Sequence, residues 1–508
     1  MRSRKRIAAI AMAAAMTLAA CGSGNGDRGS SAVDTVTLAT AVPPTTFAAA
    51  NAGWANEAPY IQAVYDSLLR ESSDAEIEPW LATDWSYNDD RTVLTRELRN
   101  DVTFTDGQPF NAEVAAQNIL RFRDGTSPHA AYLEFVTAAT ATDEYTLEIT
   151  LAQPDPALLI HLAQNAGTQA SPASFYTDDA QTNPVGSGPF ILDTDRTVVG
   201  STYVFTRNPD YWAPEEQHFE TLVMKVYNDA QTTLDAIRAG QVDFAGVLDA
   251  SASDQIEAAG YTLQSNELDW AGLILFDRQG QLNPALADVR VRQAIAHAID
   301  RDAMLEELSG GHGTVTGQVF SEHTPAYDES LDDRYPYDPD MAEELLADAG
   351  YDDGLTLRMP LIQIGVDATF DRIAQYLEEA GITVDYVPTP LANAAPEVLG
   401  GYYPASYFFV QQDPTAWQTV TLAIAPDAPF NVFHTSDPKV EALVETIQTG
   451  SEEEADAAEA QLNEFVVEQA WFVPFFRREA IAAVSKDIHV ELQIDNAYPS
   501  LQNIRPTY

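Results

Sequence analysis

The stretch EIEPWLATDWSYNDDRTVLTRELRNDVTFTDGQPFNAEV, residues 76–114, decides how the fold is read. Val93 and Thr95 alternate with Leu94 and Arg96, the period-two pattern of a strand, and this strand returns from a turn at Asn88-Asp89-Asp90. A second turn at Asp106-Gly107 is followed by Asn111, whose short side chain can accept a bond from the free amides that open a helix. The unit expected here is a hairpin feeding a capped helix.

Outward from this unit, strands and helices alternate along the chain. Residues 36–39 predict a first strand, which Pro43-Pro44 breaks into a loop running through Trp54. Ile61, Val64, Tyr65, Leu68 and Leu69 recur at helical spacing and predict a helix over residues 58–69. Residues 134–151 predict another hairpin, turning at Asp143-Glu144, and residues 183–190 form a glycine-proline connector. A strand over residues 222–227 leads to a helix that begins at Asn228-Asp229 and stops at Gly240, and residues 241–244 start another strand. Asp288 caps a helix with Ile295 and Ile299 four apart, and Asp338-Pro339 supplies a cap with proline in the first turn. Residues 355–362, 369–380 and 382–387 read as strand, helix and strand, which implies two parallel strands joined by a right-handed crossover. Asp437-Pro438 opens a further helix, residues 452–465 another, and residues 471–484 return as strand.

A chain of 508 residues with 45% hydrophobic side chains can build two or three domains with cores of their own. The formal charge is −50, from 77 acidic and 27 basic residues, so nucleic acid and anionic membrane surfaces are excluded as partners of the folded chain. A solvated acidic surface is the favoured account of this charge over a field that draws in cationic solute, because beyond roughly 10 Å such a field is screened at ordinary ionic strength.

Arg2, Arg4, Lys5 and Arg6 precede an apolar run over residues 7–20 that is too short to span a bilayer, the pattern of a secretion signal. The run ends in Leu18-Ala19-Ala20-Cys21, which resembles a bacterial lipobox and implies that Cys21 is lipidated and becomes the mature N-terminus. Cys21 is the sole cysteine, so no internal disulfide can form. Residues 21–32, rich in Gly, Ser and Asn, are expected as a flexible tether.

No GxSxG, HExxH, GxxxxGK or CxxC motif occurs, and the eight histidines never fall at metal-ligand spacing. The expectation is therefore no catalytic residue, no metal site, no cofactor and no enzyme. A hydrolase, or a lipoprotein sensor or adhesin on the same scaffold, is the less favoured alternative.

Several blocks, in order, carry a more specific signal. PWLATDW (79–85), TVLTRELRNDVTFTDGQPFNAE (92–113), PVGSGPF (184–190), RNPDYW (207–212), AIRAGQVDF (236–244) and VRQAIAHAIDRDAM (291–304) resemble the signature blocks of the extracytoplasmic solute-binding proteins of peptide and nickel ABC importers, known as family 5. The resemblance implies an α/β, two-lobed periplasmic-binding-protein-like fold with an extra subdomain inserted in the first lobe. Carried over, residues 1–20 are a lipoprotein signal peptide. Lobe I comprises 33–75, 185–268 and 475–508, the insert is 76–184, and lobe II is 269–474. It also implies a function: an anchored extracytoplasmic receptor takes a peptide or peptide-like solute between its lobes and hands it to an ABC permease and its ATPases. A nickel chelate, a glycoside or another small polar solute is the alternative.

For the site, the resemblance points to residues 402–417, YYPASYFFVQQDPTAW. Counting back from Asp413-Pro414, the position where peptide-binding relatives carry an ammonium-pairing aspartate is Val410, and the position of their carboxylate-pairing arginine is Gln363. Both ionic clamps are thus expected to be missing. An extended strand would put Ser406, Phe408 and Val410 on one face and Tyr407 and Phe409 on the other, one set lining the cleft. Gln411, Gln412, Asp413 and Trp417 follow, and the loop bearing Trp54 and Asn56 is expected across the cleft. The implied recognition uses aromatic faces and amides in place of salt bridges.

Overall fold

A computed structural model describes residues 34–362, 367–494 and 496–507. The signal peptide, the tether with Cys21, and Gln363 lie outside the described residues. The opening reading is met closely. Ala82–Tyr87 and Val93–Leu98 form the hairpin, and Asn111 accepts from the Val114 amide at 3.0 Å to open the helix Ala112–Arg123. Thr146–Leu151 and Val136–Ala141 complete a four-stranded antiparallel sheet. Leu94, Leu147 and Ile149 are wholly buried there, in one core with the helix's Ile119 and Phe122.

The same core continues into the first lobe, where it takes in Val36, Tyr60, Phe205 and Phe244. Thr35–Thr40 lies parallel to Thr221–Val226, which continues antiparallel through Thr202–Arg207 to Phe190–Leu192. On its other side Phe244–Gly246 joins Phe472–Ser485, which pairs with Tyr261–Leu275, and Ala405–Gln411 closes that edge. Among the described residues one nine-stranded sheet therefore runs through both lobes. A second core, with Leu273, Ile295, Leu357, Phe370 and Phe475, fills the other lobe. Leu355–Ile362 and Ile382–Thr389 are parallel there, with the helix Asp367–Glu379 between them, as the strand-helix-strand pattern requires.

Tyr261–Leu275 and Phe472–Ser485 are the strands that pass from lobe to lobe. Their ladder is interrupted by register shifts between Glu267 and Asp269 and between Ala271 and Gly272. Pro474, which has no amide hydrogen to give, sits at the second break opposite Gly272. A Cβ on Gly272 would stand 2.4 Å from the Val473 carbonyl oxygen, so the close approach of the two strands requires glycine there. Two buried arginines bind the carbonyls of the returning segment: Arg301 Nε donates to Pro474 O at 2.9 Å and Arg292 Nε to Gln469 O at 2.8 Å. Their block folds as two helices, Val289–His297 and Arg301–Ser309, capped by Asp288 and Asp300, so Ile299 lies between helices and not within one.

The helix expected over residues 58–69 is shorter than its apolar spacing. It is Ala58–Val64, and Tyr65 leaves it in an extended conformation. The glycine-proline connector packs against this exit, with the Gly188 amide donating to Val64 O at 3.1 Å. A Cβ on Gly186 would stand 2.0 Å from that same oxygen.

The early exit turns Asp66 inward. Its buried carboxylate accepts four bonds: Trp80 Nε1 (2.9 Å) and the Tyr211 hydroxyl (3.0 Å) on Oδ1, and the Ser187 hydroxyl (2.8 Å) and Trp212 Nε1 (3.0 Å) on Oδ2. These donors come from the PWLATDW, PVGSGPF and RNPDYW blocks, so one side chain collects three signatures that are far apart in the chain. Burial pushes the Asp66 carboxyl up, and the four bonds oppose that shift. An amide in place of the carboxylate would present hydrogens to indole N–H groups that can only donate. Asp66→Asn is expected to lower unfolding stability by about 3–5 kcal/mol, the usual cost of breaking a buried charged network from one side. Urea denaturation followed by circular dichroism measures it, and an unchanged midpoint would mean that the four bonds do not hold the region together.

Candidate ligand-binding cleft

A loop and a C-terminal residue of the first lobe, two segments of the inserted subdomain and one segment of the second lobe meet around a cavity. Its volume is about 60 Å³, against roughly 10–15 Å³ for a single water, which is room for a few waters.

The first lobe contributes Trp54 and Ala55. Ala55 has φ +51°, a left-handed conformation that costs a non-glycine residue about 1 kcal/mol, so the loop must be held from outside. Ala52 O accepts from the Ser127 hydroxyl at 2.8 Å and from Asn165 Nδ2 at 2.9 Å, and the Glu57 carboxylate accepts from the Thr45 amide at 2.9 Å. Trp54 is thereby fixed at the mouth of the cavity.

The insert contributes His129, Tyr132 and Gln164. The Tyr132 ring is stacked between two imidazoles, at 4.9 Å from His129 and 4.0 Å from His161. Asn165 Nδ2 is oriented by Ala52 O and lies 3.0 Å from His129 Nδ1. That nitrogen therefore accepts, and the proton of neutral His129 is assigned to Nε2. Burial pushes the His129 imidazole down and the His161 imidazole to about 3. Burial, helped by the charge of Asp413 across the cavity, pushes the Tyr132 phenol up to about 12. All three rings are therefore uncharged at neutral pH. His161 Nδ1 and Asn165 Oδ1 are buried behind the stack, and neither has a hydrogen-bond partner among the described residues.

The second lobe contributes Gln411, Asp413, Pro414 and Gln418, and Asn496 completes the lining. Gln411 ends the strand Ala405–Gln411, and Gln418 lies in the short helix Ala416–Thr419, which Thr415 caps. Among the described residues no serine, threonine, cysteine or lysine lines the cavity, so the arrangement offers stacking, amide hydrogen bonds and one carboxylate.

Of the residues expected from the sequence, Trp54, Gln411 and Asp413 come together here. Asn56, next to Trp54, is exposed and does not line the cavity. Tyr407, Phe408 and Val410 differ from expectation, because both faces of their strand are covered. Tyr407 stacks on Phe475 in one core, and Phe408 meets Phe276 and Phe430 edge-on in the other, which also takes in Val410. Phe408 and Phe409 stay half-buried, and of this strand only its last residue, Gln411, lines the cavity. Gln412 and Trp417 are buried, and Gln412 Nε2 has no hydrogen-bond partner among the described residues. The missing ammonium clamp at Val410 thus has a carboxylate close by, at Asp413. His129, Tyr132, Gln164, Gln418 and Asn496 had no signal in the sequence. His129 precedes the short helical turn Ala130–Leu133 and His161 lies in the helix Leu158–Ala163, and only tertiary packing brings both onto one tyrosine.

The insert also touches the second lobe directly. Arg91 Nη2 donates to Gln448 O at 2.9 Å and Gly450 O at 2.7 Å, and Gln448 Nε2 donates to Pro154 O at 2.9 Å. Ala157 and Ile160 share a core with Trp270, Trp417 and Phe472. Asp155 is buried beside them, and loss of solvent pushes its carboxyl up to about 7.

Residues 76–429 match the model of the bacterial extracellular solute-binding proteins, family 5. The chain is 28% identical over 338 residues to the nickel-binding periplasmic protein of Escherichia coli (strain K12), covering 62% of this chain and 63% of that protein, so the match spans less than two thirds of that relative. It is 25% identical over 451 residues to the glutathione-binding protein GsiB of Shigella dysenteriae, covering 84% and 85%. Among solved structures, HbpA2 from Haemophilus parasuis superposes with a TM-score of 0.81 at 22% identity, over 93% of this chain and 100% of that one, and so shares the two-lobed fold.

His161 and Asp155 give the interface opposite pH dependences. The folded imidazole stays neutral down to about 3, while an unfolded histidine takes a proton near 6.5, so its contribution is lost as pH falls below that value. The folded Asp155 carboxyl keeps its proton up to about 7, while an unfolded one loses it near 3.9, so its contribution is lost as pH rises between the two. Replacing His161 by phenylalanine keeps the ring stack and removes the His161 contribution. Relative to the unmodified protein, His161→Phe should gain roughly 1.4 kcal/mol of stability per pH unit on going from pH 6 to pH 4, read from urea midpoints. A difference that stays constant with pH would mean that His161 is protonated in the fold.

Proposed function

The chain belongs to the bacterial extracellular solute-binding proteins, family 5, and from that premise we propose that it is the extracytoplasmic receptor of an ABC importer. It captures a small peptide-like solute between its lobes and delivers it to a permease and ATPases encoded elsewhere. The observation that carries this reading is the cavity itself, walled by Trp54 of one lobe, Tyr132 of the insert and Asp413 of the other lobe. A solute that touches all three walls binds the closed arrangement better than an open one, and that difference in affinity drives closure. The protein binds its solute and leaves it chemically unchanged.

Amide and aromatic groups line the cavity, which suits a peptide-like solute, and the relative matched over most of its length is named for glutathione. A metal chelate is the second reading, favoured by the nickel-binding relative. Lipidation of Cys21, in Leu18-Ala19-Ala20-Cys21, would hold the receptor at the outer face of the cell membrane near its permease.

Protein purified from cells grown in rich medium should carry a small solute, released on denaturation and identified by mass spectrometry. Added back to stripped protein, that solute should quench or shift tryptophan fluorescence and reduce the radius of gyration in X-ray scattering. Trp54→Ala should weaken binding at least tenfold with little loss of stability, since the side chain is only half-buried. Scattering curves that do not change with any added solute would rule the receptor reading out. Cys21→Ser should move the protein from the membrane fraction to the soluble one.

A further inference from the structure

The two strands that cross between the lobes pair in two separate runs. Tyr261 to Glu267 pair with Ser485 to Glu479 on the first-lobe side, and Asp269 to Ile274 pair with Arg478 to Phe472 on the second-lobe side. Leu268 has no partner in this ladder, so the strand bends there at little cost, and the other shift, at Gly272, lies inside the second run. The Leu268 carbonyl accepts from the Gln412 amide at 2.8 Å, next to the cavity-lining Gln411, which ties this break to the cleft.

Two ion pairs flank the break, and bending affects only one of them. Asp269 and Arg478 are partners at one register on the second-lobe side, bonded at 2.5 Å, so they move together. Glu267 and Arg477 stand on opposite sides. Arg477 is held by second-lobe groups: Thr314 is its partner on the strand Gly313–Val315, Thr316 Oγ1 accepts from its Nη2 at 3.1 Å, Asp332 Oδ2 is 3.8 Å away, and its guanidinium carbon lies 4.9 Å from the centre of the Tyr327 ring. Glu267 Oε2 reaches across the break to within 4.0 Å of Arg477 Nε. That is beyond hydrogen-bond range, and neither atom has a bonding partner among the described residues, so what joins them is attraction between charges. The Arg477 side chain is 1% exposed and that of Glu267 20%, which leaves the attraction little screened by water or salt. Burial pushes the Glu267 carboxyl up, while the Thr314 hydroxyl and Arg477 draw it back toward the charged form.

Resting on the receptor reading above, we infer that Glu267 is a hinge latch: its attraction to Arg477 across the break holds the insert and the second lobe in the touching arrangement, and parting the lobes to admit solute separates the pair. Glu267 touches no solute. It positions the lobes through Arg477, and so sets how much of the closing free energy the solute itself must supply.

The test uses the full mature chain, stripped of bound solute by unfolding and refolding, with Cys21→Ser so that two introduced cysteines are the only thiols. Gln117→Cys on the insert and Gln461→Cys on the second lobe, both exposed, carry spin labels. Pulsed electron paramagnetic resonance at pH 8 reads the distances between them, without solute and with an ultrafiltrate of yeast extract. The solute-free parent should show a short and a long distance. Glu267→Gln should lower the ratio of short to long by about threefold or more, while Asp269→Asn leaves it unchanged. Glu267→Asp, which keeps the charge on a shorter arm, should give an intermediate ratio, and it supplies the same test should the amide variant fail to fold. A parent without the short distance, or a ratio that Glu267→Gln leaves unchanged or raises, overturns the latch. An equal fall in Asp269→Asn overturns it too, since the hinge would then have loosened as a whole. Parent distances that the ultrafiltrate leaves unmoved, together with a fall in Glu267→Gln, overturn the receptor reading and leave the latch standing.

Discussion

The Asp66 carboxylate, buried and bonded by four neutral donors, is the constraint on which the first lobe depends. A carboxylate out of water is costly by itself, and it becomes tolerable only when each lone pair finds a hydrogen. Meeting that requirement forces Trp80, Ser187, Tyr211 and Trp212 to converge. Trp80 precedes and Ser187 follows the four-stranded sheet and the helix Ala112–Arg123 in the chain, so one polar requirement fixes both ends of that segment. Arg70 and Arg99 lie over the indole rings of Trp80 and Trp212, which also pack edge-on against each other at 4.6 Å. The insert consequently reads as part of the first lobe, and the two share one hydrophobic core.

That rigidity matters because the walls of the cleft come from parts that would otherwise move separately. The Trp54 loop is tied to the insert through Ala52 O, which accepts from both Ser127 and Asn165. Trp54, His129 and Tyr132 therefore travel as one surface. The second lobe joins them by two strands whose ladder is broken at Glu267–Asp269 and at Gly272–Pro474, places where pairing is already imperfect and bending costs little. Contact between the insert and the second lobe is mixed, and includes two arginine bonds to carbonyls, one bond from Gln448 to the Pro154 carbonyl and an apolar patch around Ala157 and Ile160. An interface of that kind is readily reopened, as solute entry requires.

Within the cleft, the insert side is uncharged and the other side carries one carboxylate, Asp413. The stacked rings of His129, Tyr132 and His161 are neutral because burial disfavours their ions, and Asn165 supplies His129 with a hydrogen bond that suits the neutral form. The result is a flat, polarisable wall facing a carboxylate.

The sequence by itself determined most of the local elements and the family. Asn111, Asp229, Asp288, Asp338 and Asp437 all cap helices in the structure, since capping depends only on a side chain and amides two or three residues away. Strand alternation and the parallel pair at residues 355–389 were legible for the same reason, as was the set of blocks that Asp66 turns out to collect. Trp54, Gln411 and Asp413 could be named because they sit on segments the family resemblance singles out. Only tertiary structure decided where the helix after Ala58 ends, because the competitor is a glycine connector more than a hundred residues downstream. Only it decided that Tyr407 and Val410 are core, with Phe408 half-buried against one of the cores, because alternation gives two faces and cannot say that each packs on a core. The histidine-tyrosine stack was invisible for the deepest reason: its rings come from segments with no local period in common, and their protonation follows from burial, which exists only once the chain has folded.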